Sequence, residues 1–183
     1  MEKFYLNGKW NIKSNTYDMV GDVPGSAYEA LLKNGLMEDP FYRDNEPKAL
    51  EYMDEEFVFT REFDYTQKSD CTLLVCEGLD TLCDLYLNGK LVAHTDNMHR
   101  SYEFDVTNSL KKGENEIKLV FASPNKFVRK MYETDKSCGN GDALKGHTHL
   151  RKSACMMGWD WGPRLPDAGI WKDIYLLSAD SDK

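Results

Sequence analysis

The stretch Cys83-Asp84-Leu85-Tyr86-Leu87-Asn88-Gly89-Lys90-Leu91-Val92-Ala93 narrows the fold more than any other part of the chain. Cys83, Leu85 and Leu87 alternate with polar or amphipathic neighbours, the period-2 signature of a strand with one buried face. The run breaks at Asn88-Gly89, a dipeptide that tolerates the positive φ angles of a type I′ turn, so the segment reads as a β-hairpin. The same alternation puts Phe57, Phe59, Arg61 and Phe63 on one face of a second strand, and Ile117, Leu119 and Phe121 on one face of a third. Cys71–Cys76 is apolar enough for a central strand, Ile170–Leu177 reads as another, and Trp10 with Ile12 marks one near the amino end.

Helical signals are few and short. Ser26-Ala27-Tyr28-Glu29 has the form of a capping box, with Leu31 and Leu32 behind it and Gly35 placed to end the helix. Ser123-Pro124 supplies a cap residue and a first-turn proline, opening a helix with Phe127, Val128 and Met131 on one side. Many strands with turns between them, and only two short helices, predict an all-β antiparallel sandwich. At 183 residues, with no internal repeat and no low-complexity linker, residues 1–183 read as one domain.

Composition excludes several classes. The chain is 41% hydrophobic and 30% charged, an ordinary globular balance. Its net charge is -8, and no basic run interleaved with aromatics is present to track a phosphate backbone, so nucleic acid is not an expected partner. No stretch is long enough to span a bilayer, and the amino end lacks the apolar run of a signal peptide. The expectation is therefore a cytoplasmic protein, or a secreted or periplasmic one had a leader been removed. Five cysteines are an odd number, and Cys71, Cys76 and Cys83 lie in strand-like runs where a thiol packs as a small hydrophobe. A disulfide framework is not expected, and reduced thiols favour an intracellular setting.

Residues 135 to 169 fit no period. A loop of that length inside a compact domain is usually functional or disordered, and its two tryptophans argue against disorder. Its densest segment is Gly158-Trp159-Asp160-Trp161-Gly162-Pro163. A sugar presents aliphatic C–H faces that pack on aromatic rings and a rim of hydroxyls that a carboxylate accepts from, so Trp beside Asp supplies both contacts. The same residues have a plainer reading, in which one tryptophan plugs the core and Asp160 caps a turn. Cys138, His147, His149 and Cys155 raise the question of a metal, but Cys-x8-His-x-His-x5-Cys lacks the close cysteine pair of common zinc sites, and no metal or other cofactor is expected. Acidic runs such as Asp54-Glu55-Glu56 read as solvated faces. Neither a phosphate-cradling glycine loop nor a nucleophile elbow occurs.

The order of elements resembles glycoside hydrolase family 2. The residues that carry the likeness include Gly8-Lys9-Trp10, Val23-Pro24-Gly25-Ser26, Asp39-Pro40-Phe41-Tyr42, Asp44-Asn45-Glu46, Glu77-Gly78-Leu79-Asp80-Thr81, Leu85-Tyr86-Leu87-Asn88-Gly89, Asn97 to Thr107 and Gly113-Glu114-Asn115. Arg151-Lys152-Ser153-Ala154-Cys155, Gly158 to Pro166 and Ala168-Gly169-Ile170-Trp171 are similar specifically to the β-mannosidase branch. That resemblance implies a jelly-roll sandwich of the galactose-binding-like type, the amino-terminal domain of a retaining enzyme that removes terminal β-linked mannose. It implies that the domain packs on a catalytic barrel of the same chain and lends its Trp-Asp-Trp loop to the mannose subsite. Asp160 would accept from sugar hydroxyls and Trp159 would line the pocket wall, while Trp161 and Arg164 are the further substrate-binding candidates, acting chiefly by holding the loop in shape. The acid/base and nucleophile glutamates of the family lie on the barrel, so no catalytic residue is assigned within these 183 residues and no hydrolysis is expected of them alone. A free carbohydrate-binding module and a purely structural interface domain are the other functions the sequence allows.

Overall fold

Two nine-residue strands, Phe57–Tyr65 (β4) and Gly113–Phe121 (β10), pair antiparallel along their full length, from Gly113 opposite Tyr65 to Phe121 opposite Phe57. They form the middle of a sheet in a computed structural model that describes residues 2–67 and 69–179. Numbered along the chain, the six strands of that sheet run in the order β3 (Asp18–Val23), β2 (Gly8–Lys13), β4, β10, β7 (Cys83–Leu87) and β8 (Lys90–Thr95). A second sheet has the order β1 (Glu2–Tyr5), β12 (Ile174–Ala179), β5 (Cys71–Cys76) and β9 (Tyr102–Asp105). Two short strands, β6 (Leu79–Asp80) and β11 (Gly169–Ile170), pair with each other.

Inward residues of both sheets meet in one core. Trp10, Ile12, Phe57, Phe59, Leu85, Ile117, Leu119 and Phe121 come from the larger sheet, and Leu74, Cys76, Ile174 and Leu176 from the smaller. Alternation therefore does here what the sequence indicated: one face of each strand leaves water, and removing apolar area is the main term that holds the two layers together. The Phe59 and Phe121 rings meet edge to face with centroids 5.2 Å apart. Arg61, on the inward side of β4, donates from its guanidinium to the backbone carbonyls of Leu6 and Asn7 and so satisfies its charge at the rim of the core. The β7–β8 hairpin turns as expected at Asn88 (φ 52°) and Gly89 (φ 79°).

Helix α1 (Ala27–Lys33) starts where the sequence placed it, with the Ser26 hydroxyl accepting from the Glu29 amide. Gly35, at φ 68°, follows the cap residue Asn34, and the amides of Gly35 and Leu36 reach back to Leu32 and Leu31. The closing glycine thus sits in the left-handed conformation that a Schellman end requires. The Ser123 hydroxyl likewise accepts from the Lys126 amide to open the helix Pro124–Thr134.

Two expectations need correction. A further helix, α2 (Glu46–Tyr52), precedes the one at Pro124–Thr134, which is therefore α3, so the described residues hold three α-helices rather than two. With seven residues, a cap residue Asn45 that makes no side-chain cap bond and only Ala49 buried, α2 leaves almost no periodic mark. The strand read as Ile170–Leu177 is two strands: β11 pairs with β6, and after Trp171-Lys172-Asp173 the chain resumes as β12 beside β5. The run breaks because its two ends have different partners. Within the long loop, His147–His149 and Ala154–Met157 form single 3₁₀ turns, and Leu150 and Met157 join Val128 of α3 in a small second core. Among the described residues no helix is long and apolar enough to cross a membrane.

All five cysteines are free; Cys76 and Cys83 are buried, and burial pushes both thiols up, away from the reactive thiolate. Titration of native protein with a water-soluble disulfide reagent should modify Cys138 and Cys155 quickly, whereas Cys76 and Cys83 should react only on unfolding. Rapid native labelling at Cys76 or Cys83 would contradict this packing.

Candidate functional site

The loop that carries Trp159-Asp160-Trp161 is fastened at both ends before it reaches the surface. At its base the Lys152 ammonium donates to the Asp80 carboxylate on β6 and, at 2.8 Å, to the backbone carbonyl of Asp167. The Lys152 and Asp80 side chains are only 1% and 5% exposed, so their charges are compensated by each other, by that carbonyl and by the Thr81 hydroxyl, which donates to the Asp80 carboxylate. Burial lowers the Lys152 pKa and the attraction of Asp80 opposes it. Asp167 in turn takes the amides of Tyr28 (3.1 Å) and Ala168 (2.8 Å) on its carboxylate, tying the loop exit to α1. The Asp167 carboxyl group is enclosed although the residue keeps some surface, and burial pushes its pKa up to about 6.

Between these anchors the backbone closes twice. The Leu165 amide donates to the Met156 carbonyl (2.8 Å) and the Leu144 amide to that of Met157 (2.9 Å). Gly158 follows at φ 110°, where a Cβ would lie 2.5 Å from Arg164 Cγ and 2.8 Å from the Asp142 carbonyl oxygen. Only glycine fits both the angle and the gap. Trp159 and Gly162 then exchange both of their backbone hydrogen bonds, each 3.2 Å, making a tight turn with Asp160 and Trp161 at its apex.

The Asp160 carboxylate is exposed and has no hydrogen-bond or ion-pair partner among the described residues. The reading of Asp160 as a turn cap therefore finds no bond to rest on. Beside it an open concavity of about 660 Å³ is lined by Trp159, Asp160, Gly162, Arg164, Gly141, Asp142 and Glu46. The Trp159 indole is 40% exposed and that of Trp161 74%. An indole so far into solvent has most of its surface free of the domain's own packing. Arg164 is held: Glu46 Oε1, from the first turn of α2, accepts from the Arg164 amide (2.8 Å) and from its Nε (2.6 Å). Burial pushes the Glu46 carboxyl up, but the Arg164 bonds outweigh it and leave the group below its ordinary value.

The other candidates fall elsewhere. His147 Nδ1 lies 3.0 Å from the Leu144 carbonyl and His149 Nε2 2.9 Å from that of Asp135, and no group of three or more potential metal ligands converges among the described residues. Asp54 accepts from Asn125 and Arg129, and Glu55 from Thr16. The residues that sequence reasoning missed as parts of the site are Glu46, Asp142 and the Lys152–Asp80–Asp167 group. The Glu46–Arg164 and Lys152–Asp80 contacts span 118 and 72 residues, and no local pattern announces them.

The family model described as glycosyl hydrolase 2 galactose-binding domain-like matches residues 10–172. The chain belongs to this family. β-Mannosidase of Bos taurus is 33% identical over 191 residues, covering 93% of this chain and 21% of that protein. β-Mannosidase of Mus musculus is 30% identical over 187 residues, covering 94% and 21%. Among solved structures, the β-D-mannosidase from Dictyoglomus thermophilum superposes with a TM-score of 0.92 at 34% identity, covering 98% of this chain and 23% of that one. The exo-chitosanase of Amycolatopsis orientalis shares the fold, with a TM-score of 0.67 at 16% identity over 99% of this chain and 21% of that one. The galactose-binding-like sandwich and the β-mannosidase resemblance read from the sequence agree with these matches. The chain spans 21% of the length of the two mammalian relatives.

Two outcomes test the anchoring. Lys152→Met removes one partner of a buried ion pair and should cost about 3–5 kcal/mol in urea unfolding; a loss below about 1 kcal/mol would mean the pair is not compensated as described. For Asp167 the folded pKa, about 6, lies above the ordinary aspartate value of 3.8. Between those values the native state binds more protons than the unfolded state, so the contribution of this group to stability falls as pH rises. Asp167→Asn does not titrate, so its melting temperature relative to the parent should climb between about pH 4 and pH 6 and level off above. A constant difference across that range would rule out the assignment.

Proposed function

We propose that this chain is the amino-terminal domain of a longer retaining exo-β-mannosidase, that it packs on the catalytic barrel of the same polypeptide, and that its Trp159–Gly162 turn forms part of the pocket for the terminal mannose. The observation that carries the reading is the unpartnered Asp160 carboxylate at the apex of a closed turn, next to the part-exposed Trp159 indole in one concavity. A free carboxylate in such a place accepts hydroxyl protons, and the indole offers a face to the ring C–H groups. The β-mannosidase names of relatives matched over more than nine-tenths of the chain support the substrate class. Both carboxyls that a retaining glycosidase needs would then come from the barrel, and this domain would hold and orient the sugar while they act.

The test belongs in the enzyme that carries the barrel. Charge-assisted hydrogen bonds are worth roughly 1.5–3 kcal/mol each. With two of them lost, Asp160→Ala should lower kcat/KM for an aryl β-mannoside by about a hundredfold or more. Asp160→Asn should lose less, because its amide keeps one acceptor and nearly the same shape. Melting temperatures of both variants should stay close to the parent. An Asp160→Ala enzyme that melts early yet turns over like the parent would end the sugar-contact reading.

A further inference from the structure

Resting on the sugar-contact reading above, we infer that Glu46 is a positioning residue for the Trp159–Gly162 turn, acting through Arg164 from the first turn of α2. One oxygen, Oε1, receives both the backbone amide and the Nε of Arg164, at 2.8 and 2.6 Å. Arg164 follows the turn directly, so the amide bond fixes where the chain leaves it. The side-chain bond fixes where the chain enters, because it holds the aliphatic stem of Arg164 against Gly158, with Cγ 2.5 Å from the place a Cβ would occupy there. A single carboxylate oxygen thus sets both ends of the segment that displays Trp159, Asp160 and Trp161.

Glu46 is itself mounted on something firm. The buried Asn45 beside it donates from Nδ2 to the Asp39 carbonyl (2.9 Å), and the Ala49 carbonyl one turn later accepts from the buried Tyr28 hydroxyl (2.8 Å) of α1. The path from sandwich to apex therefore runs through side chains with defined partners: Tyr28 to Ala49, along α2 to Glu46, and across to Arg164. By contrast, the turn's own backbone bonds fix its local shape and not its aim, since they join Trp159 only to Gly162. A displacement of about 1 Å at a contact that orients substrate costs up to about a hundredfold in rate, so the fastening of such a turn is visible in kinetics.

The experiment uses the full-length enzyme, barrel included, with an aryl β-mannoside as the probe, and measures kcat, KM and melting temperature for each variant. Glu46→Ala should lower kcat/KM by between about ten- and a hundredfold, with the loss divided between kcat and KM in the same proportion as in Asp160→Ala. Glu46→Gln should recover most of it, because the amide oxygen accepts the same two N–H groups. In an Arg164→Ala background, Glu46→Ala should cost less than it does in the parent, since the Nε bond is already gone and only the bond to the backbone amide of residue 164 is left to lose. If Glu46→Ala does not fold, Glu46→Asp decides: it keeps the charge but withdraws the acceptor by one methylene, and should lose about fivefold. Parental kinetics in the folded Glu46 variants, with Asp160→Ala impaired, overturn the role of Glu46 and leave the sugar-contact reading standing. A lowered melting temperature with parental kinetics also overturns it, as a merely structural contact. A silent Asp160→Ala overturns both.

Discussion

The long loop of this domain depends on one ammonium group. Lys152 sits where the loop leaves the second core, Asp80 lies on the short strand β6, and Asp167 precedes the strand β11 that pairs with β6. By bonding to both, Lys152 joins the start of the functional segment, its end and the sheet edge below it. A cation placed there has no water to fall back on, so it is compatible only with the arrangement in which both oxygens are present. Desolvating the pair costs energy comparable to what the pair returns, so the larger penalty falls on any arrangement that leaves one partner buried alone.

Above this anchor the architecture changes character. The sandwich is held by apolar area, a non-directional term that tolerates exchange of one hydrophobe for another. From Lys152 to Asp167, apart from the apolar packing of Met157 and Leu165, the segment is held by bonds with direction: an ion pair, backbone closures at Met156 and Met157, a glycine at an angle other residues avoid, and the Glu46–Arg164 contact. Directional contacts are what a sugar site requires, since hydroxyl recognition depends on the placement of acceptors to within a few tenths of an ångström.

This division also explains what was legible in the sequence. Strands were readable because burial of one face writes itself into every second residue: Cys83, Leu85 and Leu87 all point inward, as do Phe57, Phe59 and Phe63. The caps at Ser26 and Ser123 were readable because a cap and its amide partner lie three residues apart. Helix α2 was not, having too few buried positions to show a period, and neither was the break between β11 and β12, where the apolar run continues while the partner strand changes. At the site, composition and the family resemblance singled out Trp159, Asp160, Trp161 and Arg164. Glu46, Lys152, Asp80 and Asp167 carry no local signature, because what joins them is the folded geometry alone.

The closeness of Lys152 Nζ to the Asp167 carbonyl has a consequence for how such domains diversify. A segment whose two ends are pinned at one point is a closed excursion, and between its ends it touches the rest of the domain at a few places, among them Met157 in the second core and Arg164 on Glu46. At the exposed apex, Asp160 and Trp161, residues can be exchanged or added without shifting a strand, and doubling the length of such an excursion costs only about 0.6 kcal/mol in closure entropy. The sandwich then behaves as a socket and the apex of the Lys152-to-Asp167 stretch as a fitting set into it, so that what the apex presents can change while the strands beneath it stay in register.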